Sequence, residues 1–238
     1  MPAVAAIFFD VDGVLIDSLE AHLQICRDKS REFGLNIAIP EAHGFREIVR
    51  SGVSVSPMKQ FFLAVGFPEP FAERANEDYQ REFAQRYALA PFSGVREMLT
   101  ELAGTGVALG LVTSNTRANV NSALSESANL FKPDLLFTVD DPRRLGKADS
   151  LRAGAAGMGI ATRLAIYVGD QPKDFEAACD AGTQFLGVTF GWGISPQDTQ
   201  FDTVDSVEEL TRDLGKRVKD ARFSQNARVG KGRREGLG

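Results

Sequence analysis

The sequence predicts an α/β protein, a doubly wound parallel sheet with a helical subdomain inserted after its first strand. Five short apolar runs recur along the chain, and stretches of helical period alternate with all but the first of them. After the first run, about seventy residues hold helical patterns and no convincing strand.

Residues Val4–Phe9 (VAAIFF) run apolar into Asp10 and Asp12, as expected of a buried strand leaving a sheet. Equivalent runs are Val107–Val112, Leu135–Val139, Leu164–Val168 and Phe185–Thr189. Helical patterns fall between them at Gly94–Leu102, Arg117–Ser125, Ala148–Met158 and Asp174–Ala181. Strands joined in this way form a parallel sheet covered on both faces, with functional groups just past the strands' carboxyl ends. The interruption runs from Ser18 to Leu89, with helical patterns at Leu19–Phe33, Phe45–Val49, Pro57–Val65 and Glu69–Tyr87. Gly34, Pro40, Gly52, Gly66 and Pro68 punctuate it. The expected division is a core from residues 1–17 and 90–221, a helical insert at 18–89, and a basic flexible tail at 222–238.

With 238 residues, 43% of them hydrophobic, the chain can bury a core without disulfide or metal staples. No apolar run is long enough for a membrane span. The first residues lack a basic segment, so no secretory signal is expected, and Cys26 and Cys179 have no metal-ligand spacing. These features together predict a cytoplasmic protein with reduced thiols. A net charge of −5 gives no reason to expect nucleic acid as a partner. The tail carries five basic residues against one acidic residue and four glycines, and its expected state is solvated and flexible.

Four short motifs carry the candidate chemistry. Asp10 and Asp12, in DVDGV, fall on one side of an extended chain, and paired carboxylates either hold a cation or divide nucleophile and acid–base roles. The alternative is an ordinary acidic strand boundary. Thr113, Ser114 and Asn115 end the run LGLVTSN, where a hydroxyl and backbone N–H groups can hold a phosphate oxygen, or simply cap a helix. Lys147, in LGKAD, offers a compact positive charge for a carboxylate and a phosphoryl group, or is one more surface lysine. Asp170 and Asp174, in YVGDQPKD, lie four apart and can converge on a hard ion such as Mg²⁺; the alternative is a pair of capping aspartates.

In this order, and from FFDVDGVLIDS onward, the motifs make the chain resemble the haloacid dehalogenase-like hydrolases over most of Phe8 to about Leu214. The resemblance implies a Rossmann-like doubly wound core with a small helical cap, of the branch that holds phosphoglycolate phosphatase-like and beta-phosphoglucomutase-like members. It implies that Asp10 is the nucleophile, forming an aspartyl-phosphate, and that Asp12 is the acid–base group. It further implies Mg²⁺ held by Asp10, Asp170 and the Asp12 carbonyl, with Asp174 as outer support or a water-mediated ligand. Thr113, Ser114 and Asn115 would then hold the phosphoryl group, with Lys147 balancing charge. A carboxylate at position 12 separates this pattern from the dehalogenases.

The stretch around Arg50 resembles a cap loop that approaches the site, so Arg46 and Arg50 are candidates for a substrate anion; exposed helix charges are the equal alternative. His22 and His43 fit no metal site, and Trp192 either lines the site rim or packs beneath the tail. The expected activity is a Mg²⁺-dependent phosphatase, a phosphoric monoester hydrolase, acting on a small phosphorylated metabolite. Phosphoglycolate-like compounds and sugar phosphates are the candidate substrates. A sugar phosphomutase and a non-catalytic phosphometabolite-binding module are the competing readings. The expected partner is a small phosphate ester, with no nucleic acid and no membrane, and with monomer or dimer left open.

Overall fold

The computed structural model describes residues 4–218. Six parallel strands form one sheet in the order β3-β2-β1-β4-β5-β6, with β1 at Ala6–Phe9, β2 at Ala108–Val112 and β3 at Leu136–Phe137. The other three are β4 (Ala165–Gly169), β5 (Gln184–Val188) and β6 (Thr203–Val204). The strand order reverses around β1, whose neighbours β2 and β4 belong to opposite wings of the sheet. That is the place where an open α/β sheet leaves a crevice at its carboxyl edge.

The period of two in the strands sorts side chains onto two cores. Ile7, Phe9, Leu109, Leu111, Ile166 and Val168 enter one face and meet α5 (Val95–Gly104), α6 (Arg117–Leu124) and a helical segment over 207–218. Phe8, Ala108, Val112 and Tyr167 enter the other and meet α7 (Lys147–Gly157) and α8 (Pro172–Ala181). Both faces are therefore dry, which is why the strands read as unbroken apolar runs rather than as alternating ones.

Four helices lie between β1 and α5, namely α1 (Leu19–Glu32), α2 (Ala42–Arg50), α3 (Met58–Ala64) and α4 (Glu69–Arg86). They bury a separate apolar cluster of their own, including Leu23, Phe45, Phe61, Phe62 and Phe83. Trp192, from the loop after β5, is the one buried member of that cluster from outside the segment. Inside it, Lys29 is 1% exposed yet paired with Asp78 at 2.8 Å and Glu32 at 2.9 Å, so its charge is not stranded.

Two expectations are corrected. The run Leu135–Val139 pairs with the sheet only at Leu136 and Phe137, because Val139 turns away to donate its N–H to the Asn115 carbonyl. The strand β6 and the segment over 207–218 were not foreseen; β6 is two residues long and carries no apolar run. The expected basic tail at 222–238 lies outside the described residues. Among the described residues, no helix is long and apolar enough to cross a membrane.

Close approach between α7 and β1 sets a local test. A Cβ on Gly154 would fall inside the Phe8 ring, whereas one on Gly157, near the end of the same helix, would meet nothing. Gly154→Ala is expected to destabilise the chain by about 1–3 kcal/mol through overpacking, read from urea denaturation. Gly157→Ala should be neutral or slightly stabilising through helix propensity. Equal effects at the two positions would contradict this packing.

Candidate functional site

The motif residues meet at the carboxyl edge of β1, β2 and β4. Asp10 follows β1 directly, and its N–H continues the ladder by donating to the Val168 carbonyl at 2.9 Å. Asp170 follows β4, while Asp174 lies in the first turn of α8. Carboxylate oxygens of Asp10, Asp170 and Asp174 all lie within 4.8 Å of one another, and all three residues are buried. Lys147, the first residue of α7, reaches in from the side and donates to Asp10 Oδ2 and Asp174 Oδ1, each at 2.6 Å.

Each carboxylate has a different environment. Asp174 is fully engaged: Oδ2 accepts from the N–H groups of Asp170 and Gln171, and Oδ1 from Lys147, with the Tyr167 hydroxyl 3.2 Å away. It caps α8, where the helix N-terminus favours negative charge. Asp10 accepts the Val11 N–H at 2.7 Å and the Lys147 ammonium. Asp170 accepts the Trp192 N–H at 2.7 Å through Oδ2, but its buried Oδ1 has no partner.

Proximity and burial act strongly on these groups. Burial pushes the Asp10 carboxyl up to about 6, against the lowering pull of Lys147 and with a further push from Asp174. Asp170 is held well above the usual carboxylate range by burial and by repulsion from Asp174 and Asp10. Burial pulls the Lys147 ammonium down, but Asp10 and Asp174 more than offset this and raise it. One ammonium thus faces three carboxylates. The uncompensated charge and the orphaned Asp170 oxygen fit a hard divalent cation with oxygen ligands.

The backbone is shaped around Asp170. A Cβ on Gly13, whose φ is +77°, or on Gly191 would fall inside its carboxylate, so both loops close on it only as glycine.

Asp12 stands apart from the acidic triad and is half-buried. Its Oδ1 accepts from Ser18 Oγ at 2.6 Å and its Oδ2 from Asn115 Nδ2 at 2.8 Å. The Asn115 side chain therefore serves Asp12, and its N–H donates to the Thr113 hydroxyl oxygen at 3.1 Å rather than pointing free. Ser114 is exposed and lines the cavity above the site together with Asp10, Asp12 and Lys147. Thr113 is buried just behind Ser114.

The cavity has a volume of about 490 Å³, and residues from 18–89 form one of its walls. His22, Val55, Met58, Phe61 and Tyr79 belong to that wall, and Trp192 to the floor between it and the carboxylates. No sequence pattern marks them, since contacts between the insert and the sheet edge leave no short motif. Trp192 thus borders the site, while its other expected placement, beneath the tail, involves residues outside the described ones. Arg50 is not among the residues that line this cavity. Its guanidinium donates to Glu47 at 2.9 Å and to the Gly193 carbonyl at 3.4 Å, because α2 lies along the loop that carries Trp192. Arg46 is held likewise by the Gly191 carbonyl at 3.0 Å.

Comparisons with known proteins identify the family and the fold. The family model for haloacid dehalogenase-like hydrolases matches residues 7–188. A phosphoglycolate phosphatase of Synechococcus elongatus is 30% identical over 196 residues, covering 79% of this chain and 84% of that protein. An N-acetylmuramic acid 6-phosphate phosphatase of Pseudomonas aeruginosa is 25% identical over 201 residues, covering 81% and 84%. Among solved structures, a haloacid dehalogenase-like family hydrolase from Streptococcus pneumoniae superposes with a TM-score of 0.70 at 23% identity, covering 88% of this chain and 98% of that one. With its four motifs gathered at one sheet edge and the family model spanning most of its length, the chain belongs to the haloacid dehalogenase-like hydrolases.

Proposed function

We propose that this chain is a Mg²⁺-dependent phosphatase that hydrolyses a small phosphorylated metabolite through an aspartyl-phosphate on Asp10. The observation that carries the reading is the contrast in surroundings between two aspartates two residues apart. Asp10 is buried against an ammonium and two other carboxylates, while Asp12 is held separately by two neutral donors. Paired carboxylates in contrasting environments take different roles.

The Asp10 carboxylate attacks phosphorus, forming a new P–O bond as the ester P–O bond breaks, and the leaving alkoxide takes a proton from Asp12. Asp12 then takes a proton from water as the water oxygen attacks phosphorus. The P–O bond to Asp10 breaks and inorganic phosphate leaves. Ser18 and Asn115 keep the Asp12 carboxyl in one orientation for both transfers. The hydroxyls of Thr113 and Ser114 suit the phosphoryl oxygens, and Lys147 balances the charge of the nucleophile. Asp10, Asp170 and the Asp12 carbonyl would hold Mg²⁺, with Asp174 as outer support, its Oδ2 already taking two backbone N–H groups and its Oδ1 the Lys147 ammonium. Mg²⁺ bound there supplies the positive charge that lets a phosphate dianion enter an acidic site. Residues 18–89 act as a cap that limits water around the reacting atoms.

Asp10→Asn is expected to lower phosphate release from a panel of small phosphate esters by about a thousandfold or more, with an unchanged melting temperature. Retention of more than about a tenth of the wild-type rate would contradict the assigned nucleophile.

Protons and cation compete for the same carboxylates. In the cation-free chain, the contribution of the Asp10 carboxyl to stability is full below its ordinary value of 3.8 and is lost as pH rises through about 6. Asp170 acts with the same sign. Cation binding needs the ionised forms, so the rise in melting temperature on adding Mg²⁺ should be larger at about pH 7.5 than at about pH 5. Asp170→Ala should abolish that rise at both, and an undiminished rise in this variant would place the cation elsewhere.

A further inference from the structure

We infer that the alcohol released at this site carries no negative charge, with an apolar face and a hydrogen-bond donor, and that Val55, Met58, Phe61 and Tyr79 select it. The inference rests on the phosphatase reading and adds the chemical class of the leaving group.

Among the described residues lining the cavity, the lysines are Lys147 and Lys173, and there is no arginine. Lys147 is engaged by Asp10 and Asp174. Lys173 is exposed on α8, with Glu176 and Asp180 lining the same side of the cavity, so that side is acidic overall. Arg46 and Arg50, the nearby guanidinium groups of α2, are turned onto the carbonyls of Gly191 and Gly193 outside it. A carboxylate or second phosphate on the leaving group would lose its water against Val55, Met58 and Phe61 with no countercharge. Burying an unpaired anion in such surroundings is strongly unfavourable.

Of the polar side chains in the wall, His22, Ser56 and Tyr79, the first and last share a hydrogen bond of defined sense. The Ser18 carbonyl can only accept, so the His22 nitrogen 2.7 Å from it, Nδ1, carries the proton. Burial pulls the His22 imidazolium down, against a raising pull from Asp12, and the ring is neutral. Nε2 therefore accepts the proton of the Tyr79 hydroxyl, 3.1 Å away. With its only proton committed to His22, the Tyr79 oxygen can offer a ligand nothing but lone pairs. His22 is packed between Phe61, Phe83 and Trp192, at ring separations of 5.5, 4.8 and 5.3 Å, which holds this orientation. A hydroxyl or N–H on the leaving group satisfies Tyr79, and a hydrocarbon face satisfies Met58 and Phe61. This chemistry separates the chain from the phosphoglycolate phosphatase to which it is similar.

The test compares kcat/KM for phosphate release by the full chain with Mg²⁺ on three esters: phosphoglycolate, benzyl phosphate and hydroxymethylbenzyl phosphate. The first releases an anionic alcohol, the second an apolar one, and the third an apolar one with a donor. Both benzyl esters should exceed phosphoglycolate by about tenfold or more, with the hydroxymethyl ester the better of the two. A smaller ratio, or one favouring phosphoglycolate, overturns the inference while leaving the phosphatase reading intact. Release from none of the three, nor from p-nitrophenyl phosphate, overturns that reading and this inference with it. Met58→Lys, at a half-buried position, should shift the preference toward phosphoglycolate by about tenfold. Tyr79→Phe should bring the ratio of the two benzyl esters close to one. The wild-type ratios decide the question even if either variant fails to fold.

Discussion

Three buried carboxylates share one ammonium at the carboxyl edge of the sheet, and the rest of the site depends on that imbalance. Lys147 bridges Asp10 and Asp174 at 2.6 Å each, and Asp170 has only the Trp192 N–H on one oxygen. Like charges this close and this dry are not all ionised without further compensation. The protein supplies part of it through backbone N–H groups of Val11, Asp170, Gln171 and Trp192. The remainder is the electrostatic demand that a divalent cation and a phosphoryl transfer site would use. Burial, against the pull of Lys147 and with a smaller push from Asp174, holds the Asp10 carboxyl up at about 6.

The fold accommodates this stress by where it places the chain. β1 sits between β2 and β4, so three strand ends deliver Asp10, Thr113 and Asp170 into one crevice without long loops. Glycines at 13 and 191 let two backbone segments close on Asp170. Trp192 then links the site to the helical insert: its N–H holds Asp170, while its ring packs edge-on against Phe45 and Phe61 of the insert. The metal-ligand candidate and the cavity wall are thereby fixed by one residue. Any movement of the insert away from the sheet must break that aromatic packing first.

The sheet core was legible because buried parallel strands write themselves as apolar runs, and the motif aspartates because each follows such a run. Lys147 was legible from its place in the motif order, although its role as a bridge between Asp10 and Asp174 was not. What escaped the sequence depends on distant contacts. Two-residue strands such as β6 have no pattern to read. His22 looked like an isolated histidine, because Tyr79 lies 57 positions away in the chain. Arg50 read equally as an anion ligand or an exposed helix charge, and its contact with the Gly193 carbonyl, 143 residues on, leaves no local pattern. The apolar wall drew on residues that also build the insert's core, so composition could not distinguish lining from packing.

Covalent phosphorylation of Asp10 is read out by acid-quench intact-mass analysis of the Asp12→Asn variant mixed with p-nitrophenyl phosphate and Mg²⁺. The nitrophenolate needs no proton to leave, whereas release of the enzyme-bound phosphoryl group needs the Asp12 base. The account predicts a species heavier by one phosphoryl group, with the modification on the peptide that contains Asp10, and none when Asp10 is also replaced by Asn. Turnover by the wild type with no phosphorylated species at any quench time in the variant, or a phosphoryl group on a different residue, would contradict it.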